Sequence, residues 1–121
     1  MSGITGTSYS KSKVVGRSKD TAIAWLNFTG VGTPLIRDDL NVSSIGDLSV
    51  GYYSINFERA MSNTNYCAVG NASFSANAHS YVCILGLYEL TTSLIKIRTT
   101  YNGQADGSSH DSYWTTLTVF A

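Results

Sequence analysis

A short segment near the middle of the chain alternates apolar and polar side chains with the period of a β-strand. Tyr53, Ile55 and Phe57 alternate with a serine and an asparagine, so one face of this segment is apolar and the other is polar. Residues 58–65 are rich in Asn and Ser, and residues 66–69 begin a second apolar run. The pattern predicts two strands joined as a hairpin or as a connection between sheets. We interpret them as the central pair of an all-β domain.

The same alternation recurs along most of the chain. Strands are predicted at residues 22–28, 35–37, 40–45, 51–57, 66–69, 81–88, 93–101 and 112–121. About eight short strands at regular spacing predict an antiparallel β-sandwich over residues 22–121. Residues 22–28 are apolar on both faces, which predicts a strand covered by the second sheet and by another subunit. Residues 1–21 are rich in Ser, Gly and Lys, and we predict a flexible or extended leader there.

The composition argues against several classes of function. Eight basic and eight acidic residues cancel, whereas nucleic-acid binding normally needs a basic face. No segment reaches the apolar length of a membrane-spanning helix, so we expect no membrane insertion. Charged residues make up 13% of the chain, about half the usual share. Ser, Thr, Asn, Gly and Tyr must therefore cover the surface, and these residues suit strands, turns and polar contact surfaces.

Catalytic and metal-binding patterns are weak in this sequence. The only histidines are His79 and His110, and neither belongs to a short metal-ligand spacing. Asp111 follows His110 and serines precede it, but a catalytic triad is defined by geometry and not by adjacency. Glu58 and Glu89 are isolated carboxylates and form no acid–base pair. We therefore predict that the protein is not an enzyme and needs no metal or cofactor.

Several motifs in a fixed order make the chain similar to the C-terminal tip domains of bacteriophage tail fibres. The motifs are Ala-Trp-x-Asn-Phe at residues 24–28, Gly-x-Gly at 30–32, Ile-Arg at 36–37, Asn-Val-Ser-Ser-Ile at 41–45, Gly-x-Tyr-x-Ile-Asn-Phe at 51–57 and Met-x-x-x-Asn-Tyr at 61–66. The resemblance covers residues 24–69 well. Residues 70–111 resemble the family only in having strands and variable loops.

The resemblance implies a β-sandwich at the distal end of a homotrimeric fibre in the virion, made in the host cytoplasm. Its partners would be two further copies of itself and a bacterial cell-surface receptor, either a polysaccharide or an outer-membrane protein. The matching residues look like scaffold, so they identify no binding residue. Two other hypotheses stay open. The domain could be a structural cap that only trimerises the fibre, or a polysaccharide depolymerase, which the scarcity of carboxylates disfavours.

We place receptor specificity in two polar loops, residues 70–80 and 102–111, because a rigid sheet can present varied side chains at its end. Aromatic residues flank both loops. Aromatic rings and fixed polar side chains are what a sugar-binding site uses. The predicted contact residues are Asn77, His79, Tyr101, Asn102, Asp106, His110, Asp111 and Tyr113. We assign Trp114 instead to the core or to a subunit interface.

Cys67 and Cys83 allow two interpretations. They are equally distant from residue 75, so a hairpin centred there would place them opposite each other and permit a disulfide. Free cysteines are commonly buried, however, and a virion assembles in a reducing cytoplasm. We therefore predict two free thiols.

Overall fold

The computed structural model describes residues 21–74, 83–101 and 109–121. Its eight strands are β1 (Ala22–Thr29), β2 (Leu35–Leu40), β3 (Val42–Ser49), β4 (Tyr52–Phe57), β5 (Cys67–Ser73), β6 (Cys83–Leu90), β7 (Leu94–Tyr101) and β8 (Trp114–Phe120). All strand pairs are antiparallel, and this part of the chain contains no helix. The predicted all-β fold of eight strands is confirmed. Residues 1–20, most of the predicted leader, lie outside the described residues.

The strands form two four-stranded sheets that enclose one apolar core. The first sheet has the order β2-β1-β8-β5 and the second has the order β3-β4-β7-β6. Phe28 of β1, Tyr53 and Ile55 of β4, and Ile95 and Ile97 of β7 are all 0% exposed. Each large apolar side chain buried in this way contributes about 1.5–3 kcal/mol to folding. The core therefore lies between the inward faces of the two sheets, as the period-two pattern predicts.

The interpretation of β4 and β5 as a central pair is wrong. β4 pairs with β3 and β7 in the second sheet, whereas β5 is an edge strand of the first sheet. The segment between them crosses from one sheet to the other, which is the alternative that the sequence left open. Met61 and Tyr66 anchor this crossing because both are buried. The Met61 N–H donates to the carbonyl of Thr92 at 2.8 Å.

The predicted strand at residues 40–45 is interrupted at Asn41. This residue has a φ of 59°, a left-handed conformation that Asn tolerates better than most residues. Its carbonyl accepts from the Glu58 N–H, and its side-chain oxygen accepts from the Arg59 N–H at 2.7 Å. The chain therefore turns at Asn41, and β2 and β3 belong to different sheets.

Two predicted loops are shorter than the composition indicated. β3 continues to Ser49, so the predicted turn at residues 46–51 is confined to its end, where Gly51 has a φ of 73°. A Cβ atom on Gly51 would lie 2.7 Å from the carbonyl oxygen of Thr99, so only glycine fits there. β5 likewise continues to Ser73, because small residues such as Gly70 and Ala72 pair with β8 as readily as larger ones.

The predicted hairpin that would place Cys67 opposite Cys83 does not form. Cys67 pairs with Phe120 at the end of β8, whereas Cys83 pairs with Tyr101 at the end of β7. The two strands belong to different sheets, and both cysteines are free thiols. Cys67 is exposed, although free cysteines are commonly buried.

Candidate functional site

The two segments predicted to carry recognition approach each other at one end of the sandwich. The ring of Phe74, in the first segment, packs edge-on against the imidazole of His110, in the second, with 4.8 Å between the ring centres. The Tyr113 N–H donates to the carbonyl of Ser73 at 2.8 Å. Pairing of β5 with β8 produces this contact, because it places Ser73 opposite Trp114.

The structure describes about half of the predicted contact residues. Tyr101 ends β7, and His110, Asp111 and Tyr113 lie between β7 and β8. The other four lie outside the described residues: Asn77, His79, Asn102 and Asp106. The predicted contacts at these four positions stay predictions. His110, Asp111 and Tyr113 are half-buried and lie where the two segments meet.

Asp111 links this end of the domain to the core. One of its carboxylate oxygens accepts from the Gly51 N–H at 2.9 Å and from the Tyr53 hydroxyl at 2.8 Å. Tyr53 is completely buried. Burial, reinforced by the hydrogen bond to the Asp111 carboxylate, raises the pKa of the Tyr53 hydroxyl. Asp111 therefore satisfies two buried donors, a structural role that sequence reasoning did not foresee.

His110 is held by its backbone as well as by its ring. Its N–H donates to the Thr99 carbonyl at 3.0 Å, and its own carbonyl accepts from the Thr99 hydroxyl at 2.5 Å. Thr99 is fully buried on β7. The chain just before β8 is thus fastened to the second sheet, and the imidazole is presented beside Phe74.

Sequence reasoning missed an aromatic cluster on the outer face of the first sheet. Trp114 is 42% exposed, so the prediction that it lies in the core is wrong, and the alternative that it lies at a subunit interface stays a prediction. The Arg37 guanidinium lies 4.0 Å from the centre of the Trp114 ring and 5.0 Å from that of Tyr113. The two aromatic rings pack edge to face at 5.2 Å. The alternation of β8 indicated this orientation, because it places Trp114 on the face opposite Leu117.

The main contacts of the Arg37 guanidinium are with the rings of Trp114 and Tyr113. The guanidinium donates to the Asn27 side-chain oxygen over a long 3.4 Å. The ion pair found within the described residues joins Lys96 and Glu89 on the second sheet, so no described carboxylate neutralises Arg37. A stacked guanidinium on an aromatic face contributes about 0.5–2 kcal/mol, and this contact fixes the orientation of the Trp114 ring.

A shallow depression lies beside Trp114, on the side that faces β5. Its volume is about 160 Å³, and its lining residues are Asn71, Ala72, Ser73, Trp114 and Thr116. Asn71 and Thr116 are exposed and lie directly opposite each other in the β5–β8 pair. The depression therefore combines an aromatic wall with an amide and a hydroxyl.

The outer face and free edge of the second sheet are more apolar. On β6, Ile84, Leu87 and Tyr88 are 46%, 39% and 49% exposed. The Tyr88 ring packs edge-on against Tyr52 with 5.6 Å between ring centres, and the Arg98 guanidinium lies 5.3 Å from the Tyr52 ring. Among the described strands β6 pairs only with β7, so no described strand covers its other edge.

Another cavity lies at the opposite end of the sandwich. Its volume is about 380 Å³, and its lining residues are Ile23, Met61, Ser62, Asn63, Asn65, Tyr66 and Ala121. Across residues 21–74, 83–101 and 109–121, no three His, Cys, Asp or Glu side chains are grouped so that they could hold a metal ion. The same residues include no helix that is long and apolar enough to cross a membrane.

No protein-family model matches the sequence, and comparisons with curated proteins and with solved structures return no match either.

Proposed function

We propose that this domain is the receptor-binding tip of a trimeric bacteriophage tail fibre. The resemblance over residues 24–69 is the starting point, and the structure gives its motifs a consistent physical role. Phe28, Ile55 and Phe57, all within the motifs, are buried core residues, and Asn41 makes the turn between sheets. A scaffold that is common to a family while its loops vary is typical of binding domains.

The contact between Phe74 and His110 carries the proposal. It brings the described ends of both predicted recognition segments to the same end of the sandwich, so the two segments can contribute to a single binding surface. The Asp111 carboxylate and Thr99 fasten this end to the core. A receptor would then meet side chains held on a rigid support, which reduces the entropy lost on binding.

The receptor belongs to the surface of a bacterium, as a polysaccharide or an outer-membrane protein. The balanced charge of the chain gives no long-range attraction to a polyanion such as nucleic acid. A trimer would present three copies of the surface, and multivalent binding can exceed single-site affinity by a factor of roughly 10²–10⁴. Weak contacts by each copy are therefore sufficient for attachment.

A structural cap that only trimerises the fibre is the second candidate, and the exposed residues of β6 favour it. An open edge with exposed Ile84, Leu87 and Tyr88 is a surface that natural proteins usually cover. Association with other copies would bury these side chains. Trimerisation through β6 and receptor binding at the end that carries the two predicted loops can occur in the same protein. A test of whether the domain adheres to bacteria therefore decides between a receptor-binding tip and a structural cap.

Adsorption of the fluorescently labelled chain to a panel of bacterial strains tests the proposal. We expect some strains to bind it and light scattering to report a trimer. Replacing Asn102 and Asp106 by Ala, or Asn77 and His79 by Ala, should reduce adsorption in at least one variant. Thr64→Ala is the matched control, because Thr64 is exposed in the connection between β4 and β5.

Three results would count against the proposal. A monomer at micromolar concentration would contradict the trimer. Adsorption by a longer fibre, but not by this domain, would favour the structural cap. Release of reducing ends from bacterial polysaccharide by the parent chain would indicate a depolymerase instead.

A further inference from the structure

We propose that the outer face of the first sheet carries a saccharide-binding site centred on Trp114, between β5 and β8. The inference rests on the proposed function and makes it more specific, because it selects polysaccharide over outer-membrane protein as the receptor. It also adds a contact surface on the sheet to the predicted loops. The evidence comes from the orientation of Trp114, the depression beside it and the polar side chains around that depression.

The Trp114 ring is exposed and already held in place. It begins β8 and points outward, since its neighbour Thr115 is fully buried. Arg37, from β2, stacks on the ring at 4.0 Å. β1 lies between β2 and β8 in the sheet, so Arg37 occupies the side of the ring toward β1. The side toward β5 is left open, and a ligand that stacks there meets a ring with little rotamer freedom to lose.

The depression on that side has the size of a single sugar ring. Its volume of about 160 Å³ is well below the roughly 300–1,000 Å³ of a pocket for a drug-sized molecule. It is also open to solvent at the sheet surface, so a longer chain can extend beyond the ring that is bound. A terminal or internal residue of a polysaccharide fits both properties, because only one unit needs to enter.

The chemistry around the depression matches a pyranose. The C–H groups on one face of a sugar ring form an apolar patch that packs on an aromatic face, and its hydroxyl groups need donors and acceptors at the rim. Asn71 provides an amide and Thr116 a hydroxyl, directly opposite each other across β5 and β8. Neither side chain has a hydrogen-bond partner among the described residues, so both can bond a sugar hydroxyl at the cost of displacing water alone.

The positive charge of Arg37 favours neutral or anionic sugars over cationic ones. Arg37 is the charged side chain that contacts Trp114, and no described carboxylate forms an ion pair with it. A neutral sugar is accepted in this environment, and a sugar bearing a carboxylate or phosphate would be attracted by Arg37. An extended peptide that adds as a strand would pair along the edge of β5, whereas the depression lies on the face of the sheet between β5 and β8.

The test compares two exposed side chains on opposite sheets in the full chain. Trp114→Ala and Asn71→Ala should lower adsorption to a strain that binds the parent chain, by about tenfold or more for Trp114, since a buried aromatic anchor carries much of the energy of a small interface. Leu48→Ala on β3 is the matched control, because Leu48 is 48% exposed and Trp114 is 42% exposed. Circular dichroism and light scattering should show that all three variants keep the fold and oligomeric state of the parent.

Treatment of the cells identifies the receptor class. Periodate oxidation of the bacterial surface should abolish adsorption, and protease treatment should leave it intact. Polysaccharide purified from the same strain should change the fluorescence of Trp114 in a Trp25→Phe chain, which has Trp114 as its sole tryptophan.

Several results would overturn the inference. If adsorption depends on surface protein and resists periodate, the receptor is not a saccharide, and the proposed tip function still stands. If Trp114→Ala adsorbs like the parent, the site lies elsewhere. If Trp114→Ala changes the oligomeric state, a second copy covers this face and the saccharide site is wrong. If no strain binds the parent chain, the proposed function fails and this inference fails with it.

Discussion

The Asp111 carboxylate should be one of the most important polar groups for stability. It accepts hydrogen bonds from the Gly51 N–H at 2.9 Å and from the Tyr53 hydroxyl at 2.8 Å. Asp111→Ala would leave both donors without this acceptor. Gly51 and Tyr53 are buried, so water cannot readily replace it. The loss should therefore exceed that of an ordinary surface substitution, which is usually within about 0.5 kcal/mol.

The magnitude follows from the two lost bonds. A hydrogen bond to a charged group contributes about 1.5–3 kcal/mol. Because Asp111 itself is half-buried, we take the lower part of that range for each bond and expect a total loss of about 3–4 kcal/mol. For a domain of this size, such a loss lowers the melting temperature by roughly 10–15 °C.

Urea unfolding followed by circular dichroism, at one fixed protein concentration, measures the change in the free energy of unfolding. Asp111→Asn keeps a side-chain oxygen as acceptor and should lose only about 1 kcal/mol. Tyr53→Phe removes the hydroxyl and leaves the bond to Gly51, so a loss of about 1 kcal/mol is expected there too. The double variant Asp111→Ala with Tyr53→Phe should lose less than the sum of the single losses, because the two side chains share one bond.

A stability of Asp111→Ala within about 0.5 kcal/mol of the parent would refute this reasoning. Strict additivity in the double variant would show that the Tyr53–Asp111 bond contributes nothing. The first result would leave Asp111 free to act only in recognition, as the sequence predicts.

Three further predictions concern pH, thiols and the turn between sheets. The folded-state pKa of Tyr53 is raised above its ordinary value of about 10, so its contribution to stability is complete below about pH 10 and is lost above it, where the unfolded chain ionises first. In urea unfolding, Tyr53→Phe should flatten the decline of the free energy of unfolding between about pH 9 and 11 by up to ~1.4 kcal/mol per pH unit. Exposed Cys67 should react with a thiol reagent faster than Cys83, which is partly buried and whose thiol pKa is raised by burial. A chain in which neither thiol reacts would indicate a disulfide. Asn41→Ala should lower the free energy of unfolding in urea by about 1–3 kcal/mol, since it removes the bond to the Arg59 N–H and strains a left-handed φ. Asn41→Gly should lower it less, because glycine adopts this φ without strain. Equal losses would show that the φ of 59° costs nothing.

Local patterns were sufficient to predict the number and the approximate positions of the strands, but not the ends of β2, β3 and β5. The alternation of Tyr53, Ile55 and Phe57 with polar residues follows from the two-residue period of a strand, which needs no knowledge of neighbours. The same period separated buried Leu117 from outward-facing Trp114 in β8. The absence of helix signals and the regular strand spacing then indicated a sandwich, and the structure has two sheets of four strands.

Only the tertiary structure shows which strands pair with each other. β4 and β5 are adjacent in sequence and belong to different sheets, because Met61 and Tyr66 pack into the core and carry the chain across. The same separation keeps Cys67 away from Cys83. Composition could not reveal these crossings, since a turn rich in Asn and Ser suits a hairpin and a sheet-to-sheet connection equally well.

The candidate sites depend most on contacts between residues that are distant in sequence. The sequence by itself determined that polar loops bounded by aromatic residues follow β5 and β7, and that residue 114 is an aromatic on an alternating strand. Only the packing of the sheets placed Phe74 against His110, bonded Asp111 to Tyr53 and stacked Arg37 on Trp114. Strand periodicity is a property of neighbouring residues, whereas these contacts arise from the order and register of strands, which the whole core selects together.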